Sequence, residues 1–355
     1  MALAGAALAA LVAAGALAAP ARYKPPRNGF GQPDLSGAWS NATLTPQARP
    51  AKFGGRLVMT PAEVAELEGA ADEEVRRGNE RSDVNAPVVK DGSVGGYNRG
   101  FLDPGSRVMR VGGQPRTSLF TTPDGQIPAP LPGVVIPALA RQAAAMGTVY
   151  VLDKFGSVGG TTEGDIEGQG KSYDNPEELS LGERCLTSFG RNGPPPMFAN
   201  GFYNNNYQIV QNRDEVLIVI EMVHDQRHIR LGATDHLPPS VRPWFGDSLG
   251  RWDGDTLVVE TTNLPKAQAF YGAWEHLKVT ERFRRVGKDR MLYQFSVEDP
   301  NVWSKPWGGE YEFAALKGRL YEYACHEGNY AIVGILGGSR AAERDASAPG
   351  PATSH

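Results

Sequence analysis

Leu277-Lys278-Val279-Thr280-Glu281-Arg282-Phe283-Arg284-Arg285 sets Leu277, Val279 and Phe283 on one face, with Glu281 the one polar residue among them, and Lys278, Thr280, Arg282 and Arg284 on the other. That is the pattern of a strand with one face buried and the other wet. The turn signal Gly287-Lys288-Asp289 follows, and Met291, Tyr293, Phe295 and Val297 then repeat the alternation, so the two runs read as an antiparallel hairpin. The same signature recurs over residues 207–211, 216–223, 228–231, 256–262, 310–314 and 320–325, with turns at Asn212-Arg213-Asp214, Asp253-Gly254-Asp255 and Lys317-Gly318. Strands in series with no helical pattern between them predict a mainly β fold, an antiparallel meander closed into a barrel or folded as a sandwich.

The N-terminal half reads differently. Thr60-Pro61-Ala62-Glu63 is a capping box with proline at the first helical position, and Val64, Leu67, Ala71 and Val75 keep helical spacing behind it. One amphipathic helix over 61–77 is expected. Residues 78–115 read as surface loop, 117–121 as a strand stopped by Pro123-Asp124-Gly125, and 137–146 as a second short helix ending at Gly147. The glycine-rich run 156–170 lacks the Lys-Ser/Thr pair of a phosphate cradle, so it reads as an insertion. Residues 1–18 form an apolar leader with the small-x-small pattern Ala16-Leu17-Ala18, although no Lys or Arg precedes Arg22. Behind this signal peptide, residues 19–338 are expected to form a single domain. It comprises a helical and loop part over about 30–200 and a strand-rich part over about 201–338, and residues 339–355 are read as a disordered tail.

A formal net charge of -4, without a basic stripe, excludes a nucleic-acid footprint. No second apolar run reaches spanning length, so no stable membrane insertion is expected after leader cleavage. The expected localisation is periplasmic or secreted, and the expected partner is a small molecule. Cys185 and Cys325 are the two cysteines, and export places them in an oxidising compartment. A disulfide between them would close a loop of about 140 residues and contribute roughly 4 kcal/mol by the chain-entropy model. Two buried thiols, or a reactive cysteine beside His326, are the competing readings.

Gly37-Ala38-Trp39 is similar to the Gly-x-Trp opening of lipocalins, whose tryptophan plugs one barrel end. The chain also resembles a widespread group of exported bacterial proteins of unassigned activity. The resemblance rests on Pro33 to Trp39, Arg116 to Leu119, Glu183 to Leu186, Tyr203 to Asn205, Glu221 to Arg227, Gly250 to Leu257, Asp299-Pro300 and Tyr321 to Asn329. It covers most of the mature chain and implies no particular reaction. Two departures stand out: the glycine-rich run 156–170, and Gly232-Ala233-Thr234 where an acid-containing turn is expected.

Candidate chemistry gathers in Glu221-Met222-Val223-His224-Asp225-Gln226-Arg227-His228 and in His326-Glu327, each read as following a strand. Acids, histidines and an arginine at strand ends present chemistry to a cavity. His224 would act as a base oriented by Asp225 or Glu221, Arg227 would hold an anionic intermediate, and His326 with Glu327 would supply a second proton-transfer group. The competing account is a polar cluster bracing strand ends. Tyr203 and Asn205 offer stacking and hydrogen-bonding groups for a sugar or phenol. Glu281 falls on the apolar face of its strand, so it is either paired with an arginine or held protonated for general acid work. His224, His228 and His236 on strand-like segments converge poorly, so no metal is expected, and no cofactor fingerprint or nucleophile elbow occurs.

Three functions remain open: a cofactor-independent lyase, isomerase or hydrolase acting on a small hydroxylated or aromatic molecule, a binding barrel without catalysis, and a structural envelope protein. Export and the disulfide give the first testable outcome. Intact mass of secreted material is expected to lack the leader and two hydrogens. Two alkylatable thiols in denatured, unreduced protein would refute the disulfide.

Overall fold

The computed structural model describes residues 23–81, 103, 105–134, 175–176, 179, 181–188, 191–199, 203–327 and 330–347. In chain order the elements are β1 (Gly37–Ser40), α1 (Pro61–Gly78), β2 (Arg110–Val111), β3 (Gln114–Pro115), β4 (Asn206–Gln211), β5 (Glu215–Ile220), β6 (Gln226–Leu231), β7 (Asp247–Asp253), β8 (Thr256–Thr262), β9 (Lys278–Gly287), β10 (Arg290–Glu298), β11 (Trp307–Ala315) and α2 (Ala331–Ser347). β2 and β3 form a separate two-stranded ribbon, and the other strands close into a barrel in the order β1-β11-β10-β9-β8-β7-β6-β5-β4. Nine strands cannot close with every neighbour antiparallel, because alternation fails on an odd ring. The parallel pair that parity demands is β6 with β7, registered Ile229↔Ser248 and Leu231↔Gly250. Residues 232–246 make the crossover between them.

The barrel has two unlike ends. Tight turns at 212–214, 254–255 and 288–289 sit at one, where the N-terminal segment closes over them through Arg27 to Asp255 and Gln32 to the Arg213 carbonyl. Trp39 lies inside this end, 2 % exposed, with its indole N–H on the Leu35 carbonyl and the Arg285 guanidinium across its ring. The other end is crowded. The β5–β6 turn, the long connections 263–277 and 299–306, and the segments 181–188, 191–199 and 321–327 converge there.

Alternation places Tyr207, Ile209, Ile218, Ile229, Val259, Val279, Phe283, Tyr293, Tyr311 and Phe313 in the lumen, all at most 2 % exposed. The lumen is packed, not hollow. Segment 191–199 enters it as a strap: the Met197 N–H donates to the Tyr293 hydroxyl at 3.0 Å, Tyr311 donates to the Met197 carbonyl, and Phe198 packs edge-on against Phe120 and Phe295. Glu281 is paired, as one of its two sequence readings required, but with an arginine across the lumen. Arg227 on β6 grips both carboxylate oxygens at 3.1 and 2.6 Å, and Tyr293 donates to Oε1 at 2.7 Å. Burial works against the Arg227 charge, and the Glu281 carboxylate more than offsets it, raising the guanidinium above its ordinary value.

The barrel, the capped helix and the disulfide agree with the sequence reading. Other elements differ. The strand expected over 216–223 stops at Ile220, because Met222–His224 form a 3-10 turn. Residues 320–325 are not a strand: a closed barrel leaves no edge for one to join. Residues 117–121 contribute only an isolated bridge, Phe120 to Gly309. β7 was not expected. α2 runs to Ser347 through the tail read as disordered, since Arg340-Ala341-Ala342-Glu343-Arg344 are strong helix formers. The leader, the helix expected at 137–146 and the glycine-rich run lie outside the described residues.

Because Glu281 is buried with its partners, removing one partner strands a charge. Arg227→Met is expected to cost about 3–5 kcal/mol in denaturant unfolding. Adding Glu281→Gln, which keeps an acceptor for Tyr293, should recover most of that loss. A double variant no more stable than Arg227→Met alone would show that the charge balance is not what matters.

Candidate functional site

The β5–β6 connection builds the site. Its ends are tied by the Ile220 N–H to the Asp225 carbonyl at 2.8 Å and by the Glu221 N–H to the Asn206 carbonyl at 3.0 Å. Between them Val223 and His224 both take positive φ, 59° and 49°. A β-branched residue adopts that conformation only under constraint, and such constraint gathers at functional sites. The result projects His224 outward beside Asp225.

Asp225 is fixed from the neighbouring segment. Its Oδ2 accepts from the Thr187 hydroxyl at 2.7 Å and from the Ser188 N–H at 3.1 Å. Burial pushes its carboxyl from the ordinary 3.8 up to about 6, against the hydrogen bonds and the nearby His224, which pull it down. The disulfide between Cys185 and Cys325, with Cα atoms 5.7 Å apart, anchors the same segment two residues before Thr187.

These pieces frame a cleft of 530 Å³ at the crowded end. Leu186, Val223, Pro243, Trp244 and Phe245 give it an apolar wall, and His224, Asp225, Gln226 and His228 a polar one. Leu186 is 44 % and Trp244 38 % exposed, so the apolar wall faces solvent with large side chains. The strap backs this wall closely. A Cβ at Gly193 would stand 3.1 Å from the Phe245 ring, so glycine permits the approach.

The candidates separate into distinct places. His224 and Asp225 line the cleft side by side. Arg227 forms part of its wall, but its guanidinium is committed to Glu281 in the lumen and cannot hold an anion in the cleft. His326 and Glu327 are exposed and follow irregular chain, and neither is among the lining residues. Glu221, 3 % exposed, accepts from Asn206 Nδ2 at 2.6 Å and from the Tyr321 N–H at 2.9 Å, which docks segment 316–327. Asn205 is buried between Asn192 and the Asp103 carbonyl, and Tyr203 stacks on Tyr323 with centroids 6.1 Å apart.

The three histidines do not share one centre, although His224 and His228 both border the cleft. His228 pairs with Glu215 on the barrel's outer face, while His236 sits between Asp247 at 2.8 Å and Glu260 at 3.4 Å. Among the described residues no group of three or more His, Cys, Asp or Glu draws together as a metal cage. Sequence reasoning missed Leu186, Thr187, Trp244 and Phe245. The signal was Pro243-Trp244-Phe245-Gly246, bulky aromatics in a Pro/Gly loop where packing gives them no obvious use.

No family model matches this chain, and no curated protein is significantly similar to it. Among solved structures it is similar to the fluorescent protein UnaG, both as wild type (16 % identity, 31 % of this chain and 72 % of that chain, TM-score 0.20) and as a point mutant (16 %, 32 % and 72 %, TM-score 0.21). Scores of that size imply no shared function.

The raised Asp225 carboxyl sets a sign for pH dependence. A group whose folded value exceeds its unfolded one favours the fold below the unfolded value, here 3.8, and that contribution is lost as pH rises through about 6. Asp225→Asn keeps an acceptor oxygen for Thr187 and Ser188 and carries no charge. It is expected to raise stability at pH 8 by roughly 1–2 kcal/mol, after allowance for partial exposure, and to change little at pH 4. Equal stability of the two proteins across that range in thermal melts would show that Asp225 titrates normally.

Proposed function

We propose that this protein is an exported binder of a small aromatic or hydroxylated molecule, seated in the rim cleft and not in the barrel lumen. The cleft's two-sided lining carries this reading: exposed Trp244 and Leu186 stand against the imidazole of His224 and the carboxyl of Asp225. An apolar wall with a few convergent polar groups suits a compact organic ligand, whose ring would lie on the indole while a hydroxyl meets the polar side. The lumen is filled by the protein's own strap. Export is supported by the disulfide, and among the described residues no helix is long and apolar enough to cross a membrane. Membership of the exported group that the motifs resemble is part of the same proposal.

A second reading is favoured by one observation. Asp225, brought to about 6 beside His224, is poised to exchange protons near neutrality, as a lyase, isomerase or hydrolase of the same kind of molecule would need. The two-histidine version loses support, because His326 and Glu327 do not line the cleft.

Native mass spectrometry of protein secreted from its own cells, then incubation of any retained molecule with fresh protein, separates the two. Binding predicts a retained mass, released unchanged, with affinity reduced about tenfold or more in Trp244→Ala and only modestly in His224→Ala. Catalysis predicts conversion, abolished by His224→Ala. A retained ligand indifferent to Trp244→Ala would overturn the cleft assignment.

A further inference from the structure

Behind the cleft, the mouth of the lumen carries hydrogen-bonding groups that the fold does not use. Arg191 is fully buried; it donates to the carbonyls of Gln268 at 3.1 Å, Ala269 at 3.4 Å and Pro195, while its Nε has no partner. Its guanidinium lies over the Phe270 ring at 4.6 Å. Gln268, equally buried, leaves both side-chain amide atoms unpaired, and the hydroxyl of Tyr271, 3 % exposed, is also unpaired. Trp307 stacks on Phe270 with centroids 5.8 Å apart, and its indole N–H is unmatched as well. Interiors rarely leave one such group orphaned, and here Gln268 and Tyr271 of one short connection, with Arg191 and Trp307 packed on the Phe270 ring between them, each leave at least one.

Charge points the same way. The Glu281 carboxylate is held by both terminal nitrogens of Arg227, and Arg191 meets no carboxylate at ion-pair distance among the described residues. Burial lowers Arg191 to about 9, with the fields of Tyr271 and Tyr293 opposing, so it still carries its charge at neutral pH. The Glu281 carboxylate acts on Arg191 only from beyond ion-pair distance and is opposed by Arg227, so two enclosed cations share one anion, a balance that is costly unless a second anion joins it.

The backbone adds an independent observation. Phe270 and Ala273 exchange hydrogen bonds at 2.8 and 3.0 Å around Tyr271 at φ 50° and Gly272 at φ 83°. A two-residue turn with positive φ at both centres ordinarily places Asn, Asp or Gly first. A tyrosine there is held against strain, and the hydroxyl it delivers meets no protein acceptor.

We propose that Arg191, Gln268 and Tyr271 form a site for a small organic carboxylate, the anion accepting from these three side chains and its apolar body lying against Phe270 and Trp307. One unneutralised cation matches a monoanion, whereas a phosphate dianion would call for a second. The site stands apart from the rim cleft, so either assignment can fail alone.

Benzoate is the probe and benzyl alcohol its uncharged counterpart, followed to equilibrium by tryptophan fluorescence and calorimetry because the donors are enclosed. Saturable benzoate binding is expected, at least tenfold tighter than benzyl alcohol. Tyr271→Phe deletes a hydroxyl that no protein atom uses, so its Tm should hold or rise while benzoate affinity drops about tenfold. Arg191→Gln should erase the preference for the anion, and if it does not fold, Tyr271→Phe carries the test alone. His224→Ala alters the rim cleft and not Arg191, Gln268 or Tyr271, so it reports any benzoate bound in the cleft instead. The proposal is overturned by absence of saturable binding at millimolar benzoate, by Tyr271→Phe lowering Tm with affinity intact, or by loss of binding in His224→Ala but not in Tyr271→Phe.

Discussion

Glu281 is the group on which the rest of the structure turns. A carboxylate buried in a closed barrel survives only if its oxygens are satisfied, and two are occupied by Arg227 and Tyr293. Tyr293, committed as a donor to Glu281, has its lone pairs free and accepts from the Met197 N–H. That bond seats the strap in the lumen. The strap in turn sets Gly193 against Phe245 and continues back to Ser188 and Thr187, which hold Asp225. Ion pair, strap and cleft are therefore one chain of dependence. It runs from the centre of the lumen to the rim, alternating contacts between side chains with backbone N–H groups donated to Tyr293 and Asp225.

Closure imposes the second constraint. With nine strands one neighbouring pair must run parallel, and a parallel pair cannot be joined by a tight turn. Residues 232–246 make that connection, and their last part, Pro243 to Gly246, ends at the β5–β6 turn, where it forms the apolar wall. The cleft is thus a by-product of how this barrel closes. An even-stranded meander would return through a short hairpin and remove Pro243, Trp244 and Phe245 from the wall, leaving only Leu186 and Val223.

The alternation of Val279, Glu281 and Phe283 against Lys278, Thr280 and Arg282 made the lumen face readable, because a period of two admits one arrangement when one face is buried. β7 escaped for a physical reason. Its Gly250 sits where a Cβ would stand 2.7 Å from Ile229 and 2.8 Å from Leu231, so a lumen-facing position carries no side chain and the alternation is erased. The opposite error at 320–325 came from Leu320, Tyr321 and Tyr323, which look like a strand but have no free edge to pair with. Tyr323 is instead half-buried against Tyr203, while Tyr321 is exposed. His224 and Asp225 were legible as chemistry, since acids and histidines bunched beyond an apolar run have few structural uses. Their true neighbours were not, because the wall of the cleft comes from the crossover and the disulfide-anchored segment, far away in sequence.

The same distances decide how the rim can work. Among the described residues no side chain hydrogen-bonds to the His224 ring, whereas Asp225 is clamped by Thr187 and Ser188 and largely withdrawn from water. A protonated Asp225 can donate to a ligand hydroxyl or carbonyl without desolvating a charge, and an ionised one cannot. Occupancy of the cleft by a neutral polar molecule therefore favours the protonated carboxyl, and such a ligand should bind more tightly below pH 6 than above it. An affinity flat across that pH range would place the ligand's polar group on His224 or Gln226 instead, leaving Asp225 as the brace that holds the strained turn to the strap.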